Sequence, residues 1–130
     1  MYIKEAQAHA KGYSDGYKAA ERDMAELMNT NQLITLIRQW GEEKNITGPN
    51  AKATSLTQYL KLHEECGELL QGLIKQDHAE TIDAIGDCGV VLILLAQLEG
   101  ISFEECLESA YNIISQRTGQ MIDGCFVKDK

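Results

Sequence analysis

One proline in 130 residues and an aromatic content of 6% leave this chain few fixed breaks and few bulky anchors. Leu, Ile, Ala, Glu and Gln are plentiful instead, and these residues favour helix over sheet. Positive charge is also scarce: 12 Lys and Arg stand against 20 Asp and Glu, for a net charge of −8. That balance argues against a general nucleic-acid binder, because phosphate backbones need a basic surface. It leaves room for a single nucleotide, since a divalent cation can bridge acidic side chains to phosphate. No uninterrupted apolar run is long enough to span a bilayer, and the strongest, 88–98, has the length of a buried core helix. The N-terminus lacks the basic-then-apolar order of a secretory signal, so no membrane partner is expected. Cys66, Cys88, Cys106 and Cys125 lack the paired spacing of zinc sites. They read as reduced, small core residues, which places the protein in the cytoplasm.

With 44% apolar and 25% charged residues, the chain has the composition of one ordinary folded domain. In residues 1–29, Tyr2, Ala6, Ala10, Tyr13, Tyr17 and Ala20 give a weak helical stripe interrupted by Gly12 and Gly16. This segment is either a helical arm that packs on a partner subunit or a frayed leader. A sharper helical pattern begins at Asn31, with Leu33, Ile34, Ile37 and Trp40 on one face and Gly41 near its end. Residues 46–53 hold the only proline, Pro49, and form a loop. Thr54 or Ser55 caps a second helix carrying Leu56, Tyr59, Leu60, Leu69, Leu70, Leu73 and Ile74. After a polar break at 75–77, a third helix runs from about Ala79 to Leu98, its second half expected to be buried on most sides. Gly100 closes it, and Ser102-Phe103-Glu104-Glu105 is a capping box that opens a fourth helix, through about Gln116. Residues 118–120 and 123–124 read as turns, and Met121–Val127 as extended or a short hairpin. The expected fold is all-α: a bundle of four to five helices around an antiparallel helical hairpin, spanning 30–130.

The chemistry-bearing residues lie on that hairpin. Glu64, Glu65 and Glu68 share one arc of the second helix, and Asp83 and Asp87 are four apart on one face of the third. Like charges at this spacing destabilise a helix, and two acidic faces could not pack together without compensation. A hard divalent cation such as magnesium supplies it. The bland alternative is a solvated acidic face. Gly67 and Gly86 each sit mid-helix beside an acid, where glycine costs roughly 1 kcal/mol relative to alanine. Close approach of a backbone or a phosphate would explain both. His63-Glu64 begins like a zinc-protease motif, but Gly67 stands where its second histidine would be needed, so His63 reads as a packing or surface residue.

The order Glu64-Glu65-x-x-Glu68, a loop, then Asp83-Ala-Ile-Gly-Asp87 running into Val90–Ala96 resembles the MazG-like family of all-α NTP pyrophosphatases. Dimeric dUTPases and phosphoribosyl-ATP pyrophosphatases share that grouping. The resemblance covers roughly 31–129, including Trp40-Gly-Glu-Glu-Lys, and its tail, Arg117 to Lys128, looks like that of small phage and prophage members. It implies hydrolysis of a nucleoside or deoxynucleoside triphosphate to monophosphate and pyrophosphate, dependent on magnesium or manganese. Glu64, Glu65, Glu68 and Asp87 match the family pattern, whereas Ala84 stands where a glutamate is usual; Asp83 is adjacent.

On this reading Glu65, Glu68, Asp83 and Asp87 hold the metal, and Glu64 orients or deprotonates the attacking water. Lys61 is placed to reach the phosphates or to pair within its helix. Arg117 and Lys128 are candidate phosphate contacts, reaching across a subunit boundary in a homodimer or homotetramer. Asn112 matches a polar substrate contact of relatives, and Trp40 either stacks on the base or packs in the core. The rivals are a dUTPase-like or phosphoribosyl-ATP hydrolase, and a catalytically silent binding module whose site decayed at Ala84.

Overall fold

The computed structural model describes residues 28–130. The stripe read in the first residues, and with it the helical arm, lies almost wholly outside them. Four helices follow in order: α1 (Thr30–Glu43), α2 (Ser55–Lys75), α3 (His78–Leu98) and α4 (Phe103–Ile114). An antiparallel hairpin, β1 (Gly119–Ile122) with β2 (Cys125–Lys128), closes the chain. The all-α reading holds, and the closing hairpin is one of the two forms expected of residues 121–127.

Local chemistry sets the boundaries. Asn29 caps α1 in a reciprocal box with Gln32, Thr54 does so with Thr57, and Ser102 with Glu105 at 3.1 Å in each direction. Between α2 and α3 only Gln76 and Asp77 intervene. Gln76 takes the left-handed conformation at φ 56°, and the Asp77 side chain accepts from the Glu80 N–H. A link this short forces an antiparallel hairpin. At the end of α3, the Ile101 N–H bonds to the Ala96 carbonyl and the Gly100 N–H to that of Gln97. This double closure needs the positive φ that Gly100 adopts, 74°. Asp123 and Gly124, both at positive φ, make the hairpin turn, so Gly119 and Gln120 are strand residues and not the turn their composition suggested.

α2 and α3 pack along their whole length, α1 covers the C-terminal half of α3, and α4 touches α3 near its end. The crossing of α2 and α3 is tightest at Gly72, where a Cβ would lie 3.1 Å from the Thr81 amide nitrogen. A second close approach joins α1 to α3: a Cβ on Gly41 would lie 2.5 Å from Leu94 Cδ2, and Leu94 is 1% exposed. Around this point sit Ile34, Val91, Ile93, Ala96 and the buried Thr47, whose amide bonds to the Gly41 carbonyl. An ion pair between Arg38 and Glu104 ties α1 to the start of α4.

Three expectations are corrected. Leu33 and Trp40 are 43% and 44% exposed, because the buried face of α1 runs through Ile34 and Gly41. None of the four cysteines is in the core: Cys66, Cys106 and Cys125 are exposed and Cys88 is half-buried. The second half of α3 is buried on the sides facing α1 and α2 but leaves Leu92 38% exposed. By length and composition alone α3 could cross a membrane, at 21 residues and a mean hydropathy of 1.7. Yet it packs against three other helices and carries two aspartates.

Candidate active site

The inner stripe of α2 runs Gln58, Leu62, Glu65, Leu69 and Gly72, and that of α3 runs Thr81, Ala84, Cys88 and Val91, spacings of three and four that keep one helical face inward. Glu65 is the charged member of this seam and is 7% exposed. Glu68 lies one turn on and Asp87 comes from the facing helix. One carboxylate oxygen from each of Glu65, Glu68 and Asp87 lies within 4.8 Å of the other two.

Glu65 Oε2 is buried and has no hydrogen-bond partner. Its neighbour oxygen has Lys61 Nζ at 3.5 Å, and the same Nζ is 3.2 Å from Glu64 Oε1. Burial raises the Glu65 pKa, with Glu68 adding to the effect and Lys61 opposing it. Asp87 is likewise pushed up, first by burial and then by the charges of Asp83 and Glu65. Lys61 is raised, mainly by its bond to Glu64. The carboxylates therefore resist ionising together, a conflict that a bound divalent cation would relieve. Three hard oxygen donors with one orphaned, buried oxygen fit magnesium or manganese, which complete their shells with water or phosphate.

Asp83 is exposed and stands outside this trio, acting on Asp87 through charge only. Ala84, 2% exposed, fills the seam with a methyl group where the resemblance implies a glutamate. Glu64 is exposed on the Lys61 side of the cluster. His63 bonds the Tyr59 hydroxyl at 2.8 Å on the outer face of α2, away from the trio. Trp40 is on α1, partly exposed, and Asn112, Arg117 and Lys128 are exposed on or beyond α4. α1 and α4 pack chiefly against α3, and the closing hairpin chiefly on itself.

Gly67 and Gly86 are open: a Cβ on either would meet nothing within 4 Å. The close backbone approach read from them occurs at Gly72 and Gly41 instead. Sequence reasoning passed over Gly72 because no acid adjoins it. Its signal was its place on the inner stripe, seven residues after Glu65. Burial, then the neighbouring Cys66, pushes the thiol of half-buried Cys88 up, with Glu65 and Asp87 adding to it. A depression of about 480 Å³ at the start of α1, between Asn29 and Leu36, shares no residue with the carboxylate trio.

Set beside known proteins, the chain matches over residues 32–112 the sequence profile of a family described as phosphoribosyl-ATP pyrophosphohydrolase. The match takes in all of α2 and α3 and therefore the whole carboxylate cluster. An "Uncharacterized 18.2 kDa protein in rep-hol intergenic region" of Haemophilus phage HP1 (strain HP1c1) is 42% identical over 74 residues. That stretch is 57% of this chain and 42% of the phage protein, so the similarity spans less than half of the relative's length. No solved structure matches.

Proposed function

The chain belongs to the phosphoribosyl-ATP pyrophosphohydrolase family, and from there we propose that it hydrolyses nucleoside or deoxynucleoside triphosphates to monophosphate and pyrophosphate with a divalent metal. One observation carries this reading: the unpartnered, buried Glu65 Oε2 within a trio of carboxylates from two helices. A buried anionic oxygen without a donor is costly, and three converging negative groups repel. Glu65, Glu68 and Asp87 would hold magnesium, or manganese in its place, with Asp83 assisting through its charge. When bound, the ion supplies charge neutralisation to the phosphates and acidity to water.

The chain's own residues do the rest. Glu64, at the edge of the trio, orients or deprotonates the water that attacks the α-phosphorus, and the bond to the α–β bridging oxygen breaks. Lys61 pairs with Glu64 and Glu65 and would turn to a phosphate oxygen when substrate is bound. Trp40, being partly exposed, is free to stack on a base. Asn112, Arg117 and Lys128 would serve a site on a neighbouring copy.

That neighbour is part of the proposal. Among the described residues six hydrophobic side chains are buried, whereas 21 large ones are exposed, too many for one subunit to leave in water. Leu60, Leu70 and Ile74 on α2 and Leu107, Tyr111 and Ile114 on α4 form apolar faces that a second copy would cover. Light scattering at micromolar concentration should give a dimer or tetramer; a monomer would remove this part.

The test of the activity is pyrophosphate release from a panel of NTPs, dNTPs and phosphoribosyl-ATP with magnesium, native chain against Glu68→Gln. Pyrophosphate and monophosphate from the native chain, lost in the variant, support the reading. The family's description favours one rival, and turnover confined to phosphoribosyl-ATP would establish it. No turnover and no magnesium-dependent stabilisation would favour the silent module, with the buried Ala84 as its cause.

A further inference from the structure

We propose that α4 and the closing hairpin form an exchanged arm, residues 103–128, that folds against the outer face of α2 in a second copy of this chain. This rests on the association proposed above and names the segment that makes it. Among the described residues all of 105–130 are exposed, and no residue of α4 is buried. The arm is fixed at its root, where Glu104 pairs with Arg38 and α4 touches the end of α3. A helix of 12 residues and a two-stranded hairpin are each marginal in water by themselves. The hairpin's register shows why one surface is not enough. Met121 pairs with Phe126 on one face, and Ile122 with Cys125 and Gln120 with Val127 on the other. Met121 and Phe126 are 66% and 52% exposed, Ile122 and Val127 44% and 45%. A ribbon lying on one surface keeps its outer face polar; this one is apolar on both and belongs between two surfaces.

Area, acceptor and charge all point to a second copy. Leu107, Tyr111 and Ile114 add an exposed stripe along α4. At about 100 Å² each, these three and the four of the hairpin leave about 700 Å² in water, close to the share of about 800 Å² that one partner gives a standard interface. The acceptor is on the chain itself, where Leu60, Leu70 and Ile74 leave an apolar outer face on α2. An arm and an acceptor carried by one chain close reciprocally about a two-fold axis. Arg117, Lys128 and Lys130 outnumber Asp123 and Asp129, so the end of the arm is positive in a chain of net charge −8. It is drawn to acidic surface, and exposed Glu64 stands one turn from Leu60 on α2.

The test combines light scattering with hydrogen exchange of the full chain read by mass spectrometry. Met121→Asp and Ile122→Asp, one on each face of the ribbon, should each lower the scattering mass to that of one chain, whereas Met121→Leu should keep the oligomer. In the native oligomer the peptides of 103–128 should be protected. In the aspartate variants, and in the native chain diluted below its association midpoint, they should exchange about tenfold faster or more while the α2–α3 hairpin stays protected. Protection of 103–128 that is the same in monomer and oligomer would mean that the chain covers its own arm, and overturns the proposal. So does an oligomer that survives both aspartates. A native chain that is monomeric throughout removes the association with it and leaves the pyrophosphohydrolase reading to its own test.

Discussion

The two halves of α3 end in opposite states. Its C-terminal half is finished by the chain itself: Leu94 is 1% exposed, Gly41 presses on it, and Ile93 and Ala96 are buried beside it. Its N-terminal half meets α2 through Ala84, Asp87 and Cys88 and leaves the Glu65 Oε2 buried and unpaired. One helix thus makes a closed contact with α1 at one end and an open one with α2 at the other. What differs is the chemistry of a few positions. Hydrocarbon against hydrocarbon is satisfied by contact alone, whereas carboxylate against carboxylate needs something the chain does not contain. The open end is where a ligand is to be looked for.

The largest test of that contrast is Asp87→Asn, which removes a negative donor with little change of shape. It should lower pyrophosphate release by about 100-fold or more, since even outer partners of a metal site are worth about 10–100-fold, and abolish magnesium-dependent thermal stabilisation. Retained stabilisation would mean that the open end is not where the ion sits.

Acidity gives the next largest effect. Glu65 and Asp87 have raised pKa values in the folded chain. Without metal they favour folding below the ordinary carboxylate range, and that contribution is lost as pH rises through their raised values. The metal's contribution should grow over the same interval, because it binds the ionised forms. Thermal midpoints against pH, with and without magnesium, should therefore diverge upward from the carboxylate range; parallel curves would count against the site. Glu104 moves the other way. Its hydrogen bond to Arg38 holds it low, so its contribution is present above the ordinary range and lost as pH falls. Glu104→Gln should leave the divergence intact.

At the closed end, Gly41→Ala places a methyl against Leu94 and should destabilise by about 1–2 kcal/mol net of the better helix propensity. Chemical denaturation would read it, and no loss would show that α1 can shift. At the open end Gly67→Ala should do the reverse in the metal-free chain, a gain of about 0.5–1 kcal/mol, because its Cβ meets nothing. A loss of activity with that gain would indicate that substrate or a second copy approaches there.

Much of this was readable beforehand for definite reasons. The ends of the helices follow from caps that act over three or four residues, which is why Ser102 and Gly100 could be placed from their neighbours alone. Glu65, Glu68 and Asp87 could be nominated because helical spacing fixes which acids share a face. Asp83 shares that face by spacing, yet it stays in solvent, because the rotation of α3 against α2 turns position 87 and not 83 toward the seam. Of the two readings of Trp40, core packing fails, since α1 packs through its smallest residue and leaves the ring partly exposed.

The sequence by itself determined the helices, their order, the tight α2–α3 turn and hence the antiparallel hairpin, because all of these depend on contacts within a few residues. Only the tertiary structure decided which acid oxygens converge, which one is left unpaired, and which glycines are crowded or open. Those depend on the register and rotation of one helix against another, and these are set where Gly72 meets Thr81 and Gly41 meets Leu94. A periodic pattern names a face but cannot say how far that face is turned.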